Sequence, residues 1–184
     1  MPEQHVAFLR AINVGGRIVK MARLKEIFES SGLRDVETFI ASGNVMFRSG
    51  VTDASKLERQ IERALAAALG YTVTTFVRTT RALASTAAFE PFPELAGQAG
   101  TLYVGFLKDA PAQATRQAIA GLRSETDDFR IEERELYWLC RTGVLESKVS
   151  GNALEKALKG PATLRNINTV RRLAAKYPPP AGMR

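Results

Sequence analysis

Residues 36–48 of the chain read VETFIASGNVMFR. Val36 to Ala41 and Val45 to Arg48 are rich in β-branched and aromatic residues, and the short glycine turn Ser42-Gly43-Asn44 lies between them. Turns of this kind join antiparallel strands, because glycine adopts positive φ angles without steric cost. The stretch therefore predicts a β-hairpin, around which the other elements of the first half can be placed.

One strand and one helix are predicted before this hairpin. The segment from Val6 to Ile12 is apolar apart from Arg10, which indicates a buried strand, and a glycine loop from Asn13 to Arg17 follows it. Apolar residues at helical spacing then predict a helix, which Gly32 ends as a C-terminal cap. Those apolar residues are Leu24, Ile27 and Phe28.

A second helix and a further strand are predicted after the hairpin. The helix is closed by Gly70, and the strand covers Thr72 to Arg78. The helix is indicated by apolar residues at four-residue intervals, namely Leu57, Ile61, Leu65 and Leu69. The order β-α-β-β-α-β is the split βαβ arrangement of ferredoxin-like folds.

The second half repeats most of this order. Leu57-Glu58-Arg59 in the first half also resembles Leu154-Glu155-Lys156 about one repeat later, so we infer a duplication. The predicted elements are a strand at Leu102–Leu107, a helix at Ala112–Leu122, a hairpin at Phe129–Glu133 and Leu136–Cys140, and a helix at Ala153–Leu158. The predicted fold class is α+β, with duplicated ferredoxin-like units, antiparallel sheets and an extra C-terminal helix.

The predicted domain boundaries follow the proline and glycine residues. Pro91 and Pro93, with two nearby glycines, make residues 90–100 a poor helix or central strand, so this segment is a connector. The predicted parts are residues 1–89 as the first ferredoxin-like half, 90–100 as the connector, 101–160 as a βαββα half, and 161–184 as a basic helix and tail.

The last helix is predicted to begin after Gly160-Pro161 and to be amphipathic. Its apolar face would carry Leu164, Ile167, Val170, Leu173 and Tyr177. A second face would carry Arg165, Thr169, Arg172 and Lys176 as a basic stripe.

The excess of positive charge lies near the C-terminus. The formal net charge of the 184-residue chain is +7; residues 141–184 contain nine Lys and Arg against two Asp and Glu, whereas residues 1–140 contain seventeen of each. Such asymmetry suggests an anionic partner, either a small molecule or nucleic acid. The alternative is a well-solvated basic helix that only aids solubility.

The inventory of reactive residues argues against several kinds of chemistry. His5 and Cys140 are the only residues of their types, so an internal disulfide, a histidine-based triad, a metal site and a bound cofactor are not predicted. His5 is expected to be a partly exposed structural residue and Cys140 a buried, inert thiol. No apolar run is long enough to cross a membrane, and the N-terminus lacks a secretory signal, so we predict no membrane contact and a cytoplasmic location.

Polar residues in four loops are candidate ligand-binding residues. Paired glycines with a neighbouring arginine suit an anion, and carboxamides, hydroxyls and a guanidinium at a helix start suit a phosphate or carboxylate. The candidates are Arg10, Asn13, Gly15, Gly16, Arg17, Ser42, Asn44, Ser147, Lys148, Arg165, Asn166, Asn168 and Thr169. Turn formation and helix capping are the alternative roles for these residues.

Four blocks of the chain resemble the signature blocks of the domain of unknown function 1697 family, in the same order from about residue 4 to residue 177. The blocks are Phe8 to Gly16, Ser42-Gly43-Asn44-Val45, Ser147-Lys148 and Arg165 to Val170. The chain departs from the family pattern at Ala11, where glycine is usual, and at Ile167, where tryptophan is usual. The resemblance implies a bacterial-type cytoplasmic protein with a duplicated α+β fold, and it implies no established activity.

Three functions follow from these observations. The first is binding of an anionic small molecule by the four loops, which folding would have to bring together. In an enzymatic form of this hypothesis, Lys148 and Arg165 stabilise negative charge and Ser147 is the nucleophile. The second is nucleic-acid binding by the basic last helix, and the third is a structural or protein-interaction role. The sequence leaves open whether the protein is an enzyme and whether it forms oligomers.

Overall fold

The computed structural model of the protein describes residues 2–40, 43–95, 97 and 99–180. The chain divides into two compact units. The first contains the residues up to Ala84 together with those from Leu173 onward, and the second runs from Ser85 to Arg172.

Apart from its last helix, the first unit has the predicted order of strands and helices. Its elements are β1 (Glu3–Leu9), α1 (Met21–Ser30), β2 (Arg34–Phe39), β3 (Asn44–Ser49), α2 (Ala54–Leu69), β4 (Thr75–Thr79) and the start of α3 (Thr80–Ala88). The strands form a four-stranded sheet in the order β2-β3-β1-β4, and every neighbouring pair is antiparallel.

Both ends of α2 are set by local chemistry. The Asp53 carboxylate accepts hydrogen bonds from the N–H groups of Ser55 at 2.9 Å and Lys56 at 3.2 Å, which satisfies donors that the helix itself leaves open. At the other end, Gly70 has a left-handed φ of 77° and donates its N–H to the Ala66 carbonyl. The predicted glycine cap is therefore confirmed.

Two glutamates of α2 cover the free edge of β4. The Glu62 carboxylate accepts from the N–H of Thr75 and the Glu58 carboxylate accepts from the N–H of Val77, each at 2.9 Å. Because β4 lies at the edge of the sheet, these N–H groups have no strand partner on that side. The carboxylates fix α2 over the sheet and occupy two donors of the edge.

His5 is fully buried, so the expectation of a partly exposed histidine is wrong. Its ring stacks on Phe47, the residue opposite it on β3, with a centroid distance of 5.4 Å. Nδ1 donates to the Glu3 carbonyl at 3.1 Å, and burial lowers the pKa of the imidazole. His5 alternates along β1 with Ala7 and Leu9, so it faces the apolar core of the first unit and not solvent.

The second unit repeats the same topology. After the C-terminal part of α3 it contains a 3₁₀ turn at Pro93–Leu95, β5 (Thr101–Leu107), α4 (Gln113–Ala120), β6 (Asp127–Glu132), β7 (Glu135–Cys140), α5 (Gly151–Leu158), β8 (Ala162–Asn166) and most of α6 (Ile167–Lys176). Its sheet has the order β6-β7-β5-β8, again antiparallel throughout. The predicted fold class, with duplicated split βαβ units, is confirmed.

Two elements differ from the sequence-based expectation. Residues 162–166, which were expected to begin the last helix, form strand β8 and pair with β5, and the helix starts only at Ile167. The apolar spacing of Leu164 and Ile167 fits a helix equally well, so the pairing with β5 decides the outcome. Helix α3 was not predicted, because its sequence TRALASTAA has few large apolar residues to mark a buried face.

Each unit has its own apolar core beneath its sheet. In the first unit the core includes Leu24, Phe28, Phe47, Leu57, Ile61 and Leu65. In the second it includes Ile119, Leu136, Trp138, Cys140 and Leu154. The expectation that Cys140 is buried is confirmed. Across the described ranges, no helix combines the length and apolar character that crossing a membrane requires.

Candidate functional site

The end of β1 places Arg10 beside two other segments of the first unit. The N–H of Leu9 donates to the Gly43 carbonyl at 2.8 Å, and the N–H of Arg10 donates to the Thr74 carbonyl at 2.9 Å. The hairpin turn and the start of β4 therefore flank Arg10. The structure brings the glycine loop and this hairpin turn to the same end of the first sheet.

The glycine loop is closed by the side chain of Asn13. Its Oδ1 accepts a hydrogen bond from the N–H of Val19 at 2.8 Å, so part of the predicted binding group holds the loop in shape. Gly15 and Gly16 have φ angles of 68° and 81° and are exposed, which leaves their backbone open to solvent. The guanidinium of Arg17 lies 4.2 Å from the centroid of the Tyr71 ring, a cation–π distance.

Asn44 has a structural position at the start of β3. Its side chain is fully buried, and Nδ2 donates to the Phe39 carbonyl across the hairpin at 3.1 Å. The neighbouring Gly43 has a φ of 74°, and a Cβ added there would lie 2.7 Å from Cγ2 of Ile12. The hairpin-turn alternative explains both residues, whereas Ser42 lies outside the described residues.

The second unit contains a buried carboxylate that the sequence reading did not single out. Asp127, at the start of β6, is fully buried. Its Oδ1 accepts from Trp138 Nε1 at 2.8 Å and from Ser147 Oγ at 2.9 Å. Its Oδ2 accepts from Thr126 Oγ1 at 2.7 Å and from Ser124 Oγ at 3.0 Å. Burial alone would raise the pKa of Asp127, but these four hydrogen bonds outweigh it and lower the pKa below its ordinary value.

A signal for this cluster was present in the sequence. A buried tryptophan needs an acceptor for its indole N–H, and Trp138 lies in a strongly apolar strand. The run Ser124-Glu125-Thr126-Asp127 supplies hydroxyls beside an acid, which is typical of a hydrogen-bonded carboxylate. The sequence analysis did not match the indole of Trp138 to Asp127, because the two residues meet only when β6 pairs with β7.

Ser147 holds the loop between β7 and α5 in place. Its hydroxyl donates to Asp127 and accepts from the N–H of Val149 at 3.0 Å. Ser150 then caps α5, because its Oγ accepts from the N–H of Ala153 at 3.1 Å. Lys148, between these two serines, is exposed and forms no ion pair with any residue that the structure describes.

Arg165 lies at the junction of β8 and α6. Its Nη1 donates to Thr163 Oγ1 at 2.8 Å and to the Leu164 carbonyl at 2.9 Å. Burial lowers the pKa of the guanidinium to about 10. Asn166 Oδ1 accepts from the N–H of Asn168 at 2.8 Å and so caps α6. The side chain of Asn168 is exposed and that of Thr169 is half-buried.

The expected basic stripe on the last helix is not continuous. Arg165 precedes the helix and lies in β8, so it does not share a helical face with Arg172. Lys176 forms an ion pair with Glu37, and that hydrogen bond lowers the pKa of the Glu37 carboxyl and raises the pKa of the Lys176 ammonium. Arg172 is exposed on α6.

The candidate residues thus form two groups, each within one unit. The first contains Arg10, Asn13, Gly15, Gly16, Arg17 and Asn44. The second contains Ser147, Lys148, Arg165, Asn166, Asn168 and Thr169. Their ligand-binding roles stay predictions. No group of three or more His, Cys, Asp or Glu side chains suited to a metal ion occurs in the described ranges.

Comparisons with known proteins place the chain in a family. No curated protein matches its sequence. A solved structure described as conserved bacterial protein SP0830 from Streptococcus pneumoniae is similar over 96% of this chain and 98% of its own, with a TM-score of 0.68 and 19% identity. At 19% identity, this structural similarity shows a shared fold and nothing more. The profile of the family described as "Protein of unknown function (DUF1697)" matches residues 2–137, about three quarters of the 184 residues. The chain therefore belongs to the DUF1697 family.

Proposed function

We propose that this protein binds an anionic small molecule carrying a phosphate or carboxylate group, with Arg165 as the main recognition residue. The observation that carries the proposal is the environment of this guanidinium. Arg165 is half-buried, this desolvation lowers its pKa to about 10, and its Nη1 donates to the Thr163 hydroxyl and the Leu164 carbonyl.

A bound anion would offset the cost of this burial. Desolvation disfavours the charged form of arginine, and a nearby negative charge favours it. The guanidinium also presents several N–H donors in a fixed plane, which suits the oxygens of a phosphate or carboxylate. A ligand that uses those donors stabilises both itself and the folded protein.

The start of α6 supplies a second attraction for an anion. Arg165 lies two residues before the start of this ten-residue helix, whose first N–H groups carry partial positive charge. Asn166 Oδ1 caps the helix by accepting from one of those N–H groups, that of Asn168, whose own carboxamide is exposed. The junction therefore combines a guanidinium, a helix N-terminus and a carboxamide within four residues.

The glycine loop of the first unit is the second candidate for anion binding. Gly15 and Gly16 expose backbone N–H groups, and Arg17 lies next to them. This loop has weaker support, because the Asn13 carboxamide holds the loop together and Arg17 lies over Tyr71.

The enzymatic form of the hypothesis has little support from the geometry. The Ser147 hydroxyl donates to Asp127, and a carboxylate with a lowered pKa is a poor base for activating a nucleophile. Nucleic-acid binding by the last helix is also less favoured, because Lys176 is paired with Glu37. A cytoplasmic location remains part of the proposal, and it rests on the sequence alone.

A thermal-shift screen tests the proposal. Phosphate, phosphorylated sugars, nucleotides and citrate would each be added at millimolar concentration to the wild-type protein and to Arg165→Gln. A ligand at a hundred times its Kd stabilises the folded state by about 2.7 kcal/mol, so the wild-type melting temperature should rise with at least one compound. Citrate reports on carboxylate recognition, and the phosphorylated compounds report on phosphate recognition.

Two further variants control for folding and for charge. Arg165→Lys keeps a cation and should retain part of the shift, whereas Arg172→Gln removes an exposed charge from α6 and should retain all of it. The proposal is wrong if no compound stabilises the wild-type protein, or if Arg165→Gln responds as strongly as the wild type.

A further inference from the structure

Helix α2 carries three basic residues on its outward face. Lys56, Arg59 and Arg63 follow one another at spacings of three and four residues, so they lie on one side of the helix, and all three are exposed. With Ser31 and Gln60 they line a cleft of about 510 Å³ in the first unit. A cleft of this volume is large enough for a small ligand.

The acidic residues of α2 point away from this cleft. Glu58 and Glu62 accept hydrogen bonds from the backbone of β4 and are committed to the edge of the sheet. The helix therefore separates its charges by face, with both glutamates toward the sheet and the three cations toward the cleft. The segregation leaves the cleft with a net positive charge.

The three cations are only weakly compensated. Within the ranges that the structure describes, Lys56 and Arg63 form no ion pair, and Arg59 donates Nη1 to the hydroxyl of Ser55 at 3.3 Å. Asp53, three residues before Lys56, attracts its ammonium, but the Asp53 carboxylate is also engaged with the first N–H groups of α2. The three positive charges on this face of α2 repel one another, and an anion bound among them would relieve that repulsion.

The opposite wall of the cleft is fixed in place. Gln60 Nε2 donates to the Ser31 carbonyl at 2.6 Å, which ties α2 to the C-terminal end of α1. The Ser31 hydroxyl in turn donates to the Phe28 carbonyl at 2.7 Å. The cleft is therefore a formed feature between two packed helices, and only the long basic side chains need to move when a ligand binds.

We propose that this cleft binds a compact polyanion with two or more phosphate groups. Three cations on one helix face match a ligand with several negative charges better than they match a single carboxylate. Among the described residues no aromatic side chain lines the cleft, so recognition addresses the phosphate groups and not a nucleobase, which proteins commonly stack on aromatic rings. This site lies in the first unit and is independent of the function proposed for Arg165 in the second.

Titration of the ¹⁵N-labelled protein with pyrophosphate tests the inference. Backbone amide signals of Ser31 and of residues 56–63 should shift in a saturable manner, and orthophosphate should bind the same residues more weakly. In Arg59→Gln and Arg63→Gln the Kd for pyrophosphate should rise at least about fivefold, because each removes a charge-assisted donor from an exposed face. The Arg165→Gln variant should keep these shifts unchanged.

Arg34→Gln is the matched control. Arg34 is an exposed arginine on β2 of the same unit, and its substitution removes the same charge outside the cleft. If Arg34→Gln weakens binding as much as Arg63→Gln does, the effect is one of overall charge and the site is refuted. Absence of shifts at residues 56–63 at saturating pyrophosphate refutes it as well.

Discussion

Replacement of Asp127 by alanine should be among the most destabilising single changes in the second unit. The substitution leaves four donors without their acceptor: the indole of Trp138 and the hydroxyls of Ser124, Thr126 and Ser147. It also removes the anchor of the loop that carries Ser147. The change therefore affects β6, β7 and the loop before α5 together.

The size of the loss can be worked out from these bonds. A hydrogen bond to a charged group contributes about 1.5–3 kcal/mol, but the four bonds share one carboxylate and the three hydroxyls can turn to other partners. The sum of four bonds is therefore an overestimate. The closer guide is the buried indole N–H of Trp138, which cannot turn to another acceptor: leaving such a donor unsatisfied costs about 1–3 kcal/mol, and we expect the upper end because three hydroxyls lose their acceptor as well.

Asp127→Asn separates hydrogen bonding from charge. The amide oxygen can still accept from Trp138 and Ser147, and the two remaining hydroxyls can rotate to accept from the amide nitrogen. We expect a loss of about 1–2 kcal/mol, clearly smaller than for alanine. Asp109→Ala, at an exposed aspartate of the same unit, should change the free energy of unfolding by less than about 0.5 kcal/mol.

Urea unfolding followed by tryptophan fluorescence measures these differences directly. Trp138 is the only tryptophan of the chain, and its indole donates to Asp127, so its emission reports on this cluster. The expectation is contradicted if Asp127→Ala lowers the free energy of unfolding by less than about 1 kcal/mol, or by no more than Asp109→Ala does.

Two other predictions concern the first unit. Burial lowers the pKa of His5 in the folded state, so as pH falls the imidazole is protonated in the unfolded chain before it is protonated in the folded protein. The free energy of unfolding should therefore fall as pH drops below about 6.5, by at most about 1.4 kcal/mol per pH unit. Circular dichroism during urea unfolding at several pH values measures this slope; an unchanged slope in His5→Phe would contradict the assignment. Gly43 and Gly70 both have positive φ, so alanine at either position should cost about 1–2 kcal/mol of backbone strain. Gly43→Ala should cost more than Gly70→Ala, because only at Gly43 would the new Cβ lie against Ile12. Equal losses in thermal unfolding would show that the close contact at Gly43 is unimportant.

The hairpins and the first two helices were predictable because local signals agree with the final fold. Ser42-Gly43-Asn44 marks a turn, and Leu57, Ile61 and Leu65 mark a helix face that proves to be buried. Glycines past the helix ends, such as Gly70, adopt the left-handed conformation that their positions require. From β1 to β4, the order of elements followed from these signals alone.

The remaining elements depend on contacts that are distant in sequence. The segment Ala162–Asn166 is compatible with a helix until β5 supplies its partner strand. Helix α3 has no apolar periodicity strong enough to identify it.

The candidate site residues differ in the same way, because some roles are set by neighbours in sequence and others by distant partners. Helix-capping residues such as Ser150 could be identified from the local sequence, and the cap is present. The roles of Asn13, Asn44 and Ser147 became clear only from their partners Val19, Phe39 and Asp127. Whether a polar residue in a loop faces a ligand or the backbone depends on the folded chain.

The side-chain resonance of Arg165 gives the most direct measurement of anion binding. Its Nε–H signal in ¹⁵N-labelled protein can be assigned by its loss in Arg165→Gln and followed while a phosphorylated compound from the thermal-shift screen is added. Binding at the β8–α6 junction should produce a saturable shift of this signal at the ligand concentrations that stabilise the protein. A stabilised protein in which the Arg165 signal stays unmoved would contradict the proposed recognition.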